Sequence, residues 1–443
     1  MYEHPKKEDI HTTGNPLLDS LPAQLSLRDF YQSVTYIPKL PENYRSLSVT
    51  ERYALAEEIA NIYLPLDFSV VAYNAIYSGI RSAYKGKTQR SILKQLNENG
   101  KCIFYNQPQN WQDSKTQAEC FSILGEPVMG KTLTVKKILD LFPQVIHHTE
   151  YEGKVFEHDQ IVYIKIESPG NNSPRGACLQ ILSAIDDILG TDLCGEERKR
   201  SSNLDMLITR IAQICTRFSI GCIVIDEIQN VLQATTPDKR YVATTGSNMV
   251  KFLVELANKT GVCLAFVGIP TVIRMFDSEP HLARRTRGPR VSNLDNDEAF
   301  ESILSAMWDC MPVLYPTPLT KQIRDRVYKI TGGIIAKMQK LIILSAQYAI
   351  YFEKEMVNEE LLNKIAKQYN IVPGRSMLQE TAPELLPKPT DKVKNTPPRP
   401  TKEKGRPKHI REQDDIMELF DKCHKNGWSV AVAMIQHNLA RRG

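Results

Sequence analysis

Residues 120–132 read Cys-Phe-Ser-Ile-Leu-Gly-Glu-Pro-Val-Met-Gly-Lys-Thr. The first five are a short apolar run of strand type. The next eight, Gly125 to Thr132, fit G-x-x-x-x-G-K-[ST]. In that spacing a tight loop and a helix start turn backbone N–H groups toward a phosphate. Lys131 then reaches the β- and γ-phosphates, and the Thr132 hydroxyl reaches Mg²⁺. Gly125, Glu126, Pro127, Val128, Met129, Gly130, Lys131, Thr132 and Leu133 are the candidate ATP-binding residues. A chance match is the alternative, but a strand before the loop and the helical pattern TVKKILDLF after it are the context the motif requires. Val128 stands where many such loops carry glycine, and valine disfavours positive φ.

Working outward, short apolar runs alternate with helical patterns. QIVYIKI (160–166), CIVID (222–226) and VCLAFVG (262–268) read as strands; ACLQILSAIDDIL (177–189), LDMLITRIAQICTRF (204–218) and SNMVKFLVELANK (247–259) read as helices. Continuous apolar strands alternating with helices predict an α/β fold with a parallel sheet covered on both faces. CIVID ends on Asp226 and Glu227, at the strand end where open α/β sheets bind ligands. Asp226 is the candidate Mg²⁺ ligand and Glu227 the residue that orients an attacking water; a solvated Asp-Glu turn is the plain alternative. Thr271, just past the fourth strand, is a candidate γ-phosphate contact, although the usual polar position is Ile269. Arg284 and Arg285 lie about where ring-forming ATPases place an arginine that reaches a neighbour's nucleotide; a solvated basic loop or a DNA-contacting loop is the other reading. Lys337, at the start of a later helix, is either a nucleotide contact or an exposed lysine.

The predicted organisation is an extended arm (1–50), the ATPase core (51–294), an all-helical lid (295–375), a disordered basic linker (376–410) and a partner-binding helical tail (411–443). The linker's proline and lysine content leaves too little apolar surface to order it; Gly405-Arg406-Pro407 in it reads as a minor-groove hook or as part of an electrostatic tether. The 443 residues are 42% hydrophobic with a net charge of +5, mildly basic, the excess lying near the C-terminus. No apolar run reaches the roughly 18 residues of a membrane span, and residues 1–18 show no secretory leader, so a cytoplasmic location is expected. Nine scattered cysteines with no C-x-x-C pair read as reduced thiols without zinc or disulfides.

The motif set resembles AAA+ ATPases. Further stretches resemble the TnsC family of regulatory ATPases from TnsABCD-type transposons, related to TniB and MuB. They are NPLLDSLP, Ile37-Pro38 with Pro41-Glu-Asn-Tyr44, FPQVIHH, QIVYIKIESPGNNSPRGACLQIL, IVIDEIQNV and FVGIP, spread over roughly residues 15–370. The resemblance implies an ATP-dependent homo-oligomeric ring or filament on double-stranded target DNA, bound without sequence choice and nucleoid-associated. It implies a target selector of TnsD/TniQ type, a TnsB-like transposase and a TnsA-like endonuclease as partners. Arg175, and after it Lys165, are candidate DNA contacts near the pore loop that the resemblance implies; Lys239 and Arg240 are a second pair. A replication initiator or a helicase- or clamp-loader-type ATPase is the alternative function.

Overall fold

The two apolar runs that carry Gly125 and Asp226 are strands of one five-stranded sheet in the computed structural model. It describes residues 13–85, 119–170, 173–200, 202–232, 239–273 and 288–373, with 276 and 286. The chain divides into two units, Met1–Ala382 and Pro383–Gly443, and every described residue lies in the first. The predicted linker and tail therefore lie outside the described residues.

The sheet consists of β1 (Cys120–Gly125), β4 (Tyr163–Glu167), β5 (Cys222–Asp226), β6 (Cys263–Gly268) and β7 (Arg290–Val291). They lie in the order β4-β5-β6-β1-β7, and every pairing is parallel. The α/β expectation holds. Apolar residues occupy both sides of the central strands because both are covered. On one side Ile164, Ile166, Ile223, Ile225, Leu264 and Phe266 pack against α6 (Pro174–Leu189), α8 (Leu204–Arg217) and α9 (Lys239–Thr260). On the other, Phe121, Ile123, Val224 and Val267 meet α1 (Pro16–Asp19), α2 (Leu27–Val34), α4 (Asp67–Tyr84) and α5 (Lys131–Leu139).

Two features depart from the sequence reading. The run 160–166 is not one strand. Ile161 closes β3 (Lys154–Ile161), the antiparallel partner of β2 (Val145–Tyr151) in a separate hairpin, and β4 starts at Tyr163. The break comes at Val162, whose N–H is drawn off to the Gln144 carbonyl at 2.9 Å. Apolar pattern alone cannot see this, because both strands are buried there. The second is β7, two residues long and too short to show a period. It fits only because its neighbours are glycines: a Cβ on Gly288 would stand 1.8 Å from the Ser122 carbonyl oxygen.

The all-helical region expected after 295 forms as α10 (Glu298–Asp309), α11 (Lys321–Thr331), α12 (Ile335–Tyr351) and α13 (Glu359–Gln368), around a core of its own. The N-terminal segment contributes to both cores. Leu17, Phe30 and Val34 join the sheet-side core, whereas Ala56, Ile59 and Ile62, just after α3 (Val49–Leu55), join the lid core. α3 is fastened to the lid by a buried ion pair. Arg52 donates two hydrogen bonds of 2.6 Å to Glu355, and Arg52 is 4% exposed. Burial raises the Glu355 pKa, but bonds from Arg52 and from the Leu314 amide outweigh it and hold the carboxyl below the usual glutamate value. No helix among the described residues is long and apolar enough to cross a membrane. The seven described cysteines are buried, and none of them forms a disulfide with another described residue.

Removing one partner of this pair leaves a buried charge uncompensated. Arg52→Ala or Glu355→Ala is expected to cost about 3–5 kcal/mol, read as a lower urea midpoint, with an apolar double replacement recovering most of it. Because the folded Glu355 pKa is depressed, its contribution is complete above the ordinary glutamate pKa and is lost as pH falls through the depressed value. Unfolding midpoints of wild type and Glu355→Gln should therefore converge on acidification.

Candidate functional site

β1 delivers the phosphate loop and β5 the acidic pair to the same edge of the sheet, with β6 between them. Leu124 pairs with Gly268, and Ile225 with Phe266, so all three strands end at one level. The chain leaves β1 for the far edge at β4, returns through β5 and β6, and crosses β1 to form β7. The strand order reverses beside β1, which is where such sheets open a crevice.

Glu126 is buried, and its N–H donates to the Val291 carbonyl at 2.8 Å, fixing the start of the loop. Pro127 and Val128 are exposed, and Met129 is buried beneath them. Val128 has φ 58° and is 58% exposed. The backbone is left-handed there even though the residue is β-branched, where the sequence pointed to a loop geometry that departs from the usual one. Gly130, at φ 77°, is the N-cap of α5. Thr132 and Leu133 are exposed on its first turn.

Lys131 is buried, and its ammonium donates to the carbonyls of Gly125 at 2.9 Å and Glu126 at 2.6 Å. Burial lowers its pKa, and the Glu227, Asp226 and Glu126 carboxylates oppose that shift. The structure thus brings Lys131 and the acidic pair, 95 residues apart in sequence, into one electrostatic group. Asp226 is 2% exposed, and its Oδ1 accepts the Glu227 N–H at 2.9 Å. Glu227 is exposed at φ 52°, a strained setting that turns its side chain off the strand line.

Two partners of the acidic pair were missed in the sequence. Gln229 donates to Glu227 Oε2 and accepts the Ile269 N–H at 3.3 Å, so it links the glutamate to the end of β6. Its signal was its place two residues after Glu227. Lys165, grouped by sequence with the DNA contacts, sits on β4 with its ammonium 3.0 Å from Asp226 Oδ2.

The other candidates are dispersed. Thr271 is exposed on the single turn Pro270–Val272. Lys337 donates to the Val372 carbonyl at 2.7 Å, inside the lid. Arg175 is in the first turn of α6 and donates to the Ser202 carbonyl. Lys239 and Arg240 open α9, but their side chains lie outside the described residues, as do Arg284 and Arg285. The Thr132 hydroxyl and the Asp226 carboxylate are hard oxygen donors, which suits Mg²⁺. No group of three or more His, Cys, Asp or Glu among the described residues could hold a metal ion unaided.

Residues 114–276 match the family model of an AAA domain. None of the curated proteins matches this sequence. Among solved structures, domain III of the Thermotoga maritima replication initiation protein DnaA is similar at 12% identity and TM-score 0.35, over 75% of this chain and 99% of that one. Cdc6p of Pyrobaculum aerophilum is similar at 16% and TM-score 0.38, over 68% and 73%. The RuvB Holliday junction branch migration motor of Thermotoga maritima is similar at 13% and TM-score 0.31, over 64% and 70%. These likenesses carry nothing about activity.

If the left-handed backbone at Val128 strains the loop, glycine relieves it. Val128→Gly is expected to be at least as stable as wild type, with a net gain of about 0–1 kcal/mol after the entropy of glycine. Thermal melting checks this, and a loss above about 1 kcal/mol would mean the valine is not held at positive φ.

Proposed function

We propose that this chain is a Mg²⁺-dependent ATPase whose nucleotide state controls its assembly on DNA. One observation carries the reading: Lys131 of a phosphate-loop motif shares one electrostatic group with Asp226 and Glu227 at a single sheet edge. The loop N–H groups and the start of α5 face the phosphates. Lys131 exchanges its two loop carbonyls for β- and γ-phosphate oxygens. Thr132 and Asp226 hold Mg²⁺, which when bound neutralises charge building on the phosphates. Glu227, steadied by Gln229, orients and deprotonates the attacking water. Arg284 or Arg285 of a neighbouring copy supplies the remaining positive charge. Arg175, Lys239 and Arg240 are the proposed contacts to DNA phosphates, which give affinity without sequence choice.

The finer role takes two forms. A replication initiator or a helicase- or clamp-loader-type ATPase is one. A transposition regulator, with selector, transposase and endonuclease as partners, rests on the sequence stretches alone. Initiators and loaders predict ATP-dependent opening or loading at duplex DNA. A regulator instead leaves the duplex closed and directs insertion beside itself. Permanganate footprinting of bound duplex separates the two.

Lys131→Ala is expected to weaken ATP binding about 10- to 100-fold, the worth of charged hydrogen bonds to phosphate. Glu227→Gln is expected to bind ATP normally and lose about 10²–10⁴-fold in turnover. Fluorescent-nucleotide binding and phosphate release, each with and without duplex DNA, measure both. Wild-type turnover in Glu227→Gln would remove Glu227 from the mechanism.

A further inference from the structure

Asp226 is nearly sealed from solvent, and both its carboxylate oxygens are taken: Oδ1 by the Glu227 N–H and Oδ2 by the Lys165 ammonium. Lys165 is the residue opposite Val224 in the β4–β5 register, two positions short of the pair Glu167–Asp226. Its side chain therefore shares a sheet face with Asp226 and runs up the strand to reach it. That face is the one on which α5 packs. Lys131, by contrast, is hydrogen-bonded to carbonyls and not to a carboxylate. The cation that touches Asp226 directly thus comes from the edge strand β4.

We propose that Lys165 contends with the divalent cation of the nucleotide for the Asp226 carboxylate, and so sets the magnesium requirement of the site. The proposal rests on the reading of Asp226 as the residue that holds that cation. The physical reason is that one buried oxygen cannot serve two cations at full strength. An ammonium at 3.0 Å already draws on the charge of Oδ2, and a second positive centre close by is repelled by it. Lys165 must withdraw or weaken its hold as the metal settles. The side chain can do so, because it is 29% exposed and leads to solvent. Whatever free energy the Lys165–Asp226 pair contributes is subtracted from the apparent affinity for the metal. A pair of this partly exposed kind corresponds to about a two- to fivefold effect.

The test uses the full chain with a fluorescent ATP analogue, titrated with MgCl₂ from an EDTA baseline. Lys165→Gln is expected to lower the half-saturating Mg²⁺ concentration about two- to fivefold, while affinity in EDTA changes little. Lys165→Arg keeps the cation and adds a planar fork, so it is expected to raise that concentration. An unchanged or higher requirement in Lys165→Gln overturns the proposal. If that variant does not fold, an unchanged or lower requirement in Lys165→Arg overturns it instead. Wild-type protein that binds no nucleotide, with Lys131→Ala indistinguishable from it, would refute the site itself rather than the contest for Asp226.

Discussion

Everything at the site depends on the register held by three parallel strands. With β1, β6 and β5 ending at one level, the phosphate loop and the acidic pair project from a common edge. A slip of one residue in β5 would turn Asp226 from the α5 face to the other face. The register is protected by burial on both sides, since each strand supplies apolar side chains to two separate cores. It is protected too at β1, where Gly125 lies against Val291 so closely that an added Cβ would meet the Val291 backbone carbonyl at 2.3 Å.

On that frame the site stores electrostatic and conformational tension. Lys131 is a cation placed where burial works against its charge, kept there by two carbonyls and three nearby carboxylates. Val128 and Glu227 hold positive φ without being glycine. Strain of this kind persists only where the surrounding structure over-determines the backbone. Here the constraint comes from buried Met129 on one side and from the Asp226–Glu227 hydrogen bond on the other.

Much of this was legible in the sequence, for a reason that can be named. β1, β5 and β6 are covered on both faces, so each appears as an unbroken apolar run, and the phosphate loop has fixed spacing. What could not be read depends on partners distant in the chain. The division at Val162 turns on a hydrogen bond to Gln144. β7 exists through two residues paired with β1. The partners of Lys165, Arg175 and Lys337 are an aspartate on the next strand and two backbone carbonyls 27 and 35 residues away. Long cationic side chains carry no local mark of which oxygen they will find, because their flexible stems reach several neighbours at little difference in energy.

The N-terminal segment leaves one mechanical consequence. The lid runs into the core through the chain near Leu294, whose N–H binds the Gly333 carbonyl. Residues 49–62 are fixed to the lid by Arg52 and by Ile59. A step later, Tyr63 bonds Thr134 on the phosphate-loop helix at 3.1 Å. The helical region is thus tied to the sheet at two places, near Leu294 and through residues 49–63. A displacement of these helices that carried residues 49–62 with it would therefore pull on Tyr63 and, through its hydrogen bond to Thr134, on the helix that begins at Lys131.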